Sequence, residues 1–195
     1  GELPFQTTGT SFAPSSDLAD GAHVLKVKAV DKAGNVGTEQ SFAAVTISTA
    51  PPAAPAIAAL AAGHNTSPIA IDWSDVTDGS YAIAYVLQYA GNAGFSGATE
   101  ASGLSASNYS FDAGAAGQGE WWFRVKTIST VNVGETKESA WSAAVSTIYD
   151  ATPPAAPALT LETPNPTNQS PQRWSWSAPS GATGYTVSVN GGAWT

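Results

Sequence analysis

Apolar and polar residues alternate along much of this chain in short runs broken by Gly and Pro. Ile69, Ile71 and Trp73 share one face of an extended segment, and Tyr85, Leu87 and Tyr89 share one face of the next. A period of two is that of a half-buried strand. No long stretch keeps apolar residues at the i, i+3, i+4, i+7 spacing of an amphipathic helix. Many short strands with frequent turn signals predict an all-β sandwich or barrel. Strands are expected over 56–62, 67–73, 81–90, 108–112, 121–129 and 141–148, with a loop and a short further strand within 91–106.

A duplicated spacer divides this pattern. Ala50-Pro51-Pro52-Ala53-Ala54-Pro55-Ala56 recurs as Thr152-Pro153-Pro154-Ala155-Ala156-Pro157-Ala158. Tandem prolines cannot continue a ladder and favour an extended polyproline path, so each copy reads as a stiff link into a first strand. The spacers leave a central block, 51–152, and two flanks, 1–50 and 153–195. The second flank carries Trp174-Ser175-Trp176-Ser177-Ala178-Pro179 and then Gly184-Tyr185-Thr186-Val187, like the early strands of the central block. The first flank starts at a later stage. It has Phe12 in an expected strand, an apolar-alternating strand over 23–30, a turn at Asp31-Lys32-Ala33-Gly34-Asn35, and a last strand over 42–48.

Trp73 and Trp176 lie 103 positions apart, and Tyr85 and Tyr185 lie 100 apart. A matching offset holds for the first flank only if residue 195 is followed by residue 1 of another unit. The expectation is therefore one period of a tandem array cut inside a domain. Residues 51–152 form a whole domain, and 153–195 form a first half that 1–50 of the next unit completes. Closure within one chain is not expected, because the two halves would lie about 35 Å apart across a strand stack of roughly ten residues.

The central block resembles fibronectin type III domains at three places. Ile71-Asp72-Trp73-Ser74 matches the strand with a core Trp, and Ala84-Tyr85-Val86-Leu87 approximates the Gly-Tyr-x-Val strand. Trp121-Trp122-Phe123-Arg124-Val125-Lys126-Thr127 is similar to Tyr-x-Phe-Arg-Val-x-Ala, with Trp121 at the tyrosine-corner position. An indole N–H can still donate there to a backbone carbonyl. His23 falls at the same position in the first flank, and the Asp-x-Ala-Gly-Asn turn resembles that of bacterial immunoglobulin-like repeats. The resemblance implies seven-strand immunoglobulin-like (fibronectin type III-like) β-sandwiches in tandem, with no substantial helix, from an extracellular or cell-surface bacterial protein.

Charge narrows the partners. The net charge is −8 with seven Lys plus Arg, and no cation cluster exists to displace counterions from phosphates, which argues against nucleic acid. There is no Cys, hence no disulfide framework, Cys-ligated zinc or thiol nucleophile. No apolar run is long enough for a spanning helix. Without an initial Met or a signal-like segment, the chain reads as part of a longer one.

Candidate chemistry is sparse. His64 sits in an evident turn without Cys or Glu at metal spacing, and no Gly-x-Ser-x-Gly elbow occurs. Catalysis is not expected. Asp17, Asp20, Asp31 and Asp150 are calcium candidates at turns and beside the second spacer, while Asp72, Asp75 and Asp78 line another turn region. The competing reading is that such aspartates accept backbone N–H bonds in Asx-turns. Trp122 and Trp194 are candidate exposed platforms for a surface glycan or protein, against the reading that large rings shield a face built from Ala, Ser and Thr. Sequons occur at Asn65-Thr66-Ser67, Asn108-Tyr109-Ser110 and Asn168-Gln169-Ser170. The leading functional expectation is a structural module of an extracellular fibre, stalk or large adhesin, meeting further copies head-to-tail. The alternatives are a glycan- or protein-binding adhesion domain, or an accessory module of a secreted polysaccharide-degrading enzyme.

Overall fold

A computed structural model describes residues 7–162, 165–166, 168 and 173–194. The terminal residues Gly1 and Thr195, and Gln169 and Ser170 of the third sequon, lie outside the described residues. The chain is mostly β. Its one helix among the described residues is the single turn α1 (Ala113–Ala116), capped by the Asp112 carboxylate, which accepts from Ala115 N.

The first flank contains β1 (Gly21–His23), β2 (Lys26–Val27), β3 (Gln40–Ser41) and β4 (Val45–Ile47). The central block contains β5 (Gly63–His64), β6 (Ile69–Asp72), β7 (Ala82–Ala90), β8 (Thr99–Leu104), β9 (Asn108–Phe111), β10 (Gly119–Asn132), β11 (Glu135–Glu138) and β12 (Val145–Tyr149). The second flank contains β13 (Leu159–Leu161) and β14 (Trp174–Trp176).

Two sheets enclose the central core. The larger has the order β5-β12-β10-β7-β8, with β11 also on β10, and the smaller pairs β6 with β9. Ile57 bridges Trp73 at the margin of the smaller sheet. Alternation assigns the inward residues: Ile69, Ile71 and Trp73 from one sheet meet Tyr85, Leu87, Phe123 and Val125 from the other, with Phe111 and Tyr149. Each fully buried large apolar side chain contributes about 1.5–3 kcal/mol. Rings interlock there: Trp73 meets Tyr85 edge-on at 5.5 Å, and Phe111 meets Phe123 edge-on at 5.0 Å.

Several expected strands differ in the structure. No continuous strand spans 56–62. Ile57 bonds towards the smaller sheet, whereas β5 runs parallel to β12 in the larger one, so this segment crosses between layers. β10 extends past 129 into a hairpin with β11, turning at Gly134 with φ of 82°. Residues 141–144 are not in a strand, because Ser142 replaces the ladder. Its hydroxyl accepts from Val125 N at 3.1 Å, and its own N–H donates to Val125 O at 2.8 Å. No strand forms at Phe12 or at 185–187.

Among the described residues the strands of each flank pair only within that flank. β1 runs antiparallel to β4, β2 to β3, and β13 to β14. No described residue of 7–50 or 153–194 is buried.

Candidate functional site

The four candidate calcium carboxylates are spread over separate turns. Asp31 Oδ1 accepts from Ala33 N at 2.9 Å and Asn35 N at 2.8 Å, and Oδ2 accepts from Asn35 Nδ2 at 2.8 Å. The Asn35 side chain, helped by these amides, holds the carboxyl below its ordinary value. That is Asx-turn geometry. Asp20 accepts from Thr49 Oγ1 at 2.7 Å and Thr49 N at 2.9 Å, tying the start of β1 to the exit of β4. The Thr49 hydroxyl, first among its neighbours, lowers this carboxyl too. Asp150 accepts from Thr152 N at 2.9 Å, and Asp17 is exposed. Among the described residues no three His, Asp or Glu side chains group as a metal site. The candidates are therefore not brought together.

The aromatic candidates separate as well. Trp121 and Trp122 point to opposite faces of β10, as the period of two requires. Trp121 packs against the core, and Trp122 lies half-buried on the outer face rather than openly exposed. Trp194 is 73% exposed. Beside Trp122, the Arg124 guanidinium lies between the rings of Phe95 and Trp141, 4.2 and 4.6 Å from their centroids. Arg124 Nε also donates to Gln88 Oε1 at 2.8 Å, and Lys126 pairs with Glu138. A cation between two rings contributes about 0.5–1 kcal/mol per contact at an exposed site. Sequence reasoning missed this stack. Its only linear signal was Arg124 and Lys126 two positions apart on one strand.

Two corner bonds repeat. Trp121 Nε1 donates to Gly117 O at 2.9 Å, four residues upstream. His23 Nε2 makes the equivalent bond with Ala19 O at 2.7 Å, also four upstream. Ladders agree with this equivalence, since His23 pairs with Val45 in β4 as Trp121 pairs with Thr147 in β12.

The second flank repeats local contacts of the central block. Ser74 Oγ accepts from Ala56 N at 2.9 Å, and Ser74 N donates to Ala56 O at 2.9 Å. Ser177 and Ala158 exchange the same two bonds at 2.9 Å each. Trp176 meets Tyr185 edge-on at 5.5 Å, as Trp73 meets Tyr85. Burial differs sharply: Trp73 and Tyr85 are 6% and 3% exposed, but Trp176 and Tyr185 are 38% and 41% exposed.

A polar junction joins the first flank to the central block. Lys137 Nζ, on β11, lies 2.8 Å from Asp78 Oδ2 and donates to Ser48 Oγ at 2.9 Å. Its charge also faces the ring of Tyr81 at 5.2 Å. The Lys137 ammonium, with Ser129, holds the Asp78 carboxyl below its ordinary value.

Among curated proteins none matches the chain. Residues 4–49, the flank that carries the His23 corner and the Asp31 turn, match the model of the bacterial Ig-like domain family.

Proposed function

We propose that the chain is a non-catalytic structural repeat module of a bacterial surface protein, acting as a stiff spacer in an extracellular fibre or stalk with copies in head-to-tail succession. On this reading 51–152 is a complete seven-strand fibronectin type III-like sandwich, and 1–50 and 153–195 are portions of tandem sandwiches. The observation that carries it is the junction at Lys137. One ammonium holds both Asp78 of the central block and Ser48, three residues before Pro51-Pro52. The prolines limit the backbone and the lysine fixes the side-chain contact, so bending costs more than either feature alone would impose.

Small-angle scattering of the chain with and without Lys137→Met tests the spacer role. The native chain should give a longer, narrower distance distribution, and the variant a broader one, with unchanged circular dichroism. Native and variant profiles that superimpose would remove the support for a stiffened junction. High salt should move the native profile towards that of Lys137→Met, because the ion pair is screened.

A further inference from the structure

The central sandwich opens between its sheets at the pole where β7 turns into β8. A cleft of about 480 Å³ lies there, within the range of small-ligand sites. Its walls come from the central block alone: residues 89–91 with Gly97 and Thr99 across the turn, residues 109–112 with two alanines of α1, and Trp121 at the start of β10. Aromatic rings form the floor. Tyr89 and Tyr109 stack at 6.3 Å with 27° between their planes, and Phe111 meets Tyr89 edge-on at 5.0 Å. Trp121 packs on Phe111 at 5.2 Å. The rings cover one another, and Phe111 is 2% exposed, so they offer a floor rather than a cage of faces converging on one point. A floor suits the C–H face of a sugar ring, whereas a quaternary ammonium is held by a cage.

Polar groups surround this floor. Burial, then the neighbouring Tyr89, holds the Tyr109 phenol above its ordinary value, which keeps it a donor. Thr99 and Ser110 add hydroxyls from exposed positions. Asp112 is the one charged side chain among the described residues of the lining. Its Oδ1 accepts from Ala115 N and from Ser67 Oγ, each at 3.1 Å. These bonds, Ala115 first, hold the carboxyl below its ordinary value and therefore ionised at neutral pH. An acidic ligand would face that carboxylate with no cation in the lining to offset it, whereas a neutral polyol finds both donors and acceptors.

We propose that this cleft binds a neutral oligosaccharide, with one sugar ring on the Tyr89–Tyr109 floor and its hydroxyls bonded to Tyr109, Ser110 and Asp112. The site is separate from the Arg124 stack, because Trp121 and Arg124 lie on opposite faces of β10. It adds adhesion to the spacer role without depending on it.

A glycan array probed with the whole chain, followed by isothermal titration calorimetry with the neutral oligosaccharide that gives the strongest signal, tests the proposal. Ala115→Trp fills the cleft from an exposed position and should abolish binding. Tyr109→Phe removes one hydroxyl and should weaken binding several-fold. Arg124→Gln, on the outer face, should bind as the native chain does, and an unchanged circular dichroism spectrum checks that each variant is folded. An array with no neutral glycan bound, or with acidic glycans alone, would overturn the proposal. So would a neutral-glycan signal that survives Ala115→Trp in the folded chain, or one lost in Arg124→Gln. A saturable response to tetramethylammonium chloride with none to sugars would mark a cationic occupant and overturn it too. Scattering of Lys137→Met reports only on the first junction, so the spacer reading and the cleft proposal fail separately.

Discussion

Trp121 stands where the resembling family places a tyrosine, and its indole N–H reaches Gly117 O across the corner. Replacing it with Phe keeps most of the ring packing and deletes one partly buried hydrogen bond, a loss of about 0.5–1.5 kcal/mol. Trp121→Phe should lower the Tm of the central block by several degrees in calorimetry, with its circular dichroism unchanged. Asp78 gives a pH dependence of definite sign. Its folded pKa lies below the ordinary 3.8, mainly through Lys137, so the stabilisation is present above that value and is lost as pH falls through the folded pKa. Asp78→Asn should flatten the decline of Tm between about pH 4 and pH 2. Asp20 and Asp31 have the same sign from their own turn partners. With their oxygens engaged by amides and hydroxyls, added calcium or chelator should leave Tm unchanged, and a rise of several degrees with calcium would return these carboxylates to the role of ligands. The corner donor could be anticipated from sequence because its position within the strand motif is local. The Arg124 stack could not, since Phe95 and Trp141 approach from loops far apart in sequence.

Strand β10 organises the larger sheet, pairing with β7, β11 and β12. Its inward positions run Phe123, Val125, Thr127 and Ser129, so the apolar part of the core gives way to hydroxyls towards the β11 hairpin. Phe123→Ala opens a cavity beneath Phe111 and Tyr89 and should cost about 3–5 kcal/mol. Urea unfolding that shows under 1 kcal/mol would mean that Phe123 is not central to the core. Ser142→Ala removes the hydroxyl that accepts from Val125 N, and a smaller loss of about 1 kcal/mol is expected there. Alternation made β6, β7, β9 and β10 legible, because burial on one face leaves a period of two in the residues themselves. The segments at 56–62 and 141–144 were not legible as they fold. One crosses between sheets, and the other exchanges ladder bonds for serine side chains, and neither choice changes the local pattern of apolar residues.

At the scale of the molecule, the spacer and the Trp–Tyr pair recur along the chain, and among the described residues the buried core lies within 51–152. The flanks keep repeat-specific local bonds, the His23 corner and the Ser177–Ala158 exchange, without the burial that normally accompanies them. Local hydrogen bonds form within a few residues or across one hairpin. Core burial instead needs two packed layers.

The sequence by itself determined the β character and the faces of the central strands, because both are written in periods and punctuation local to the chain. Only the tertiary structure decided that Asp20 and Asp31 serve turns rather than gather as a cluster, that Arg124 lies between two rings, and that Lys137 spans the first junction. Those outcomes depend on which distant segments become neighbours, and a linear pattern carries no record of that.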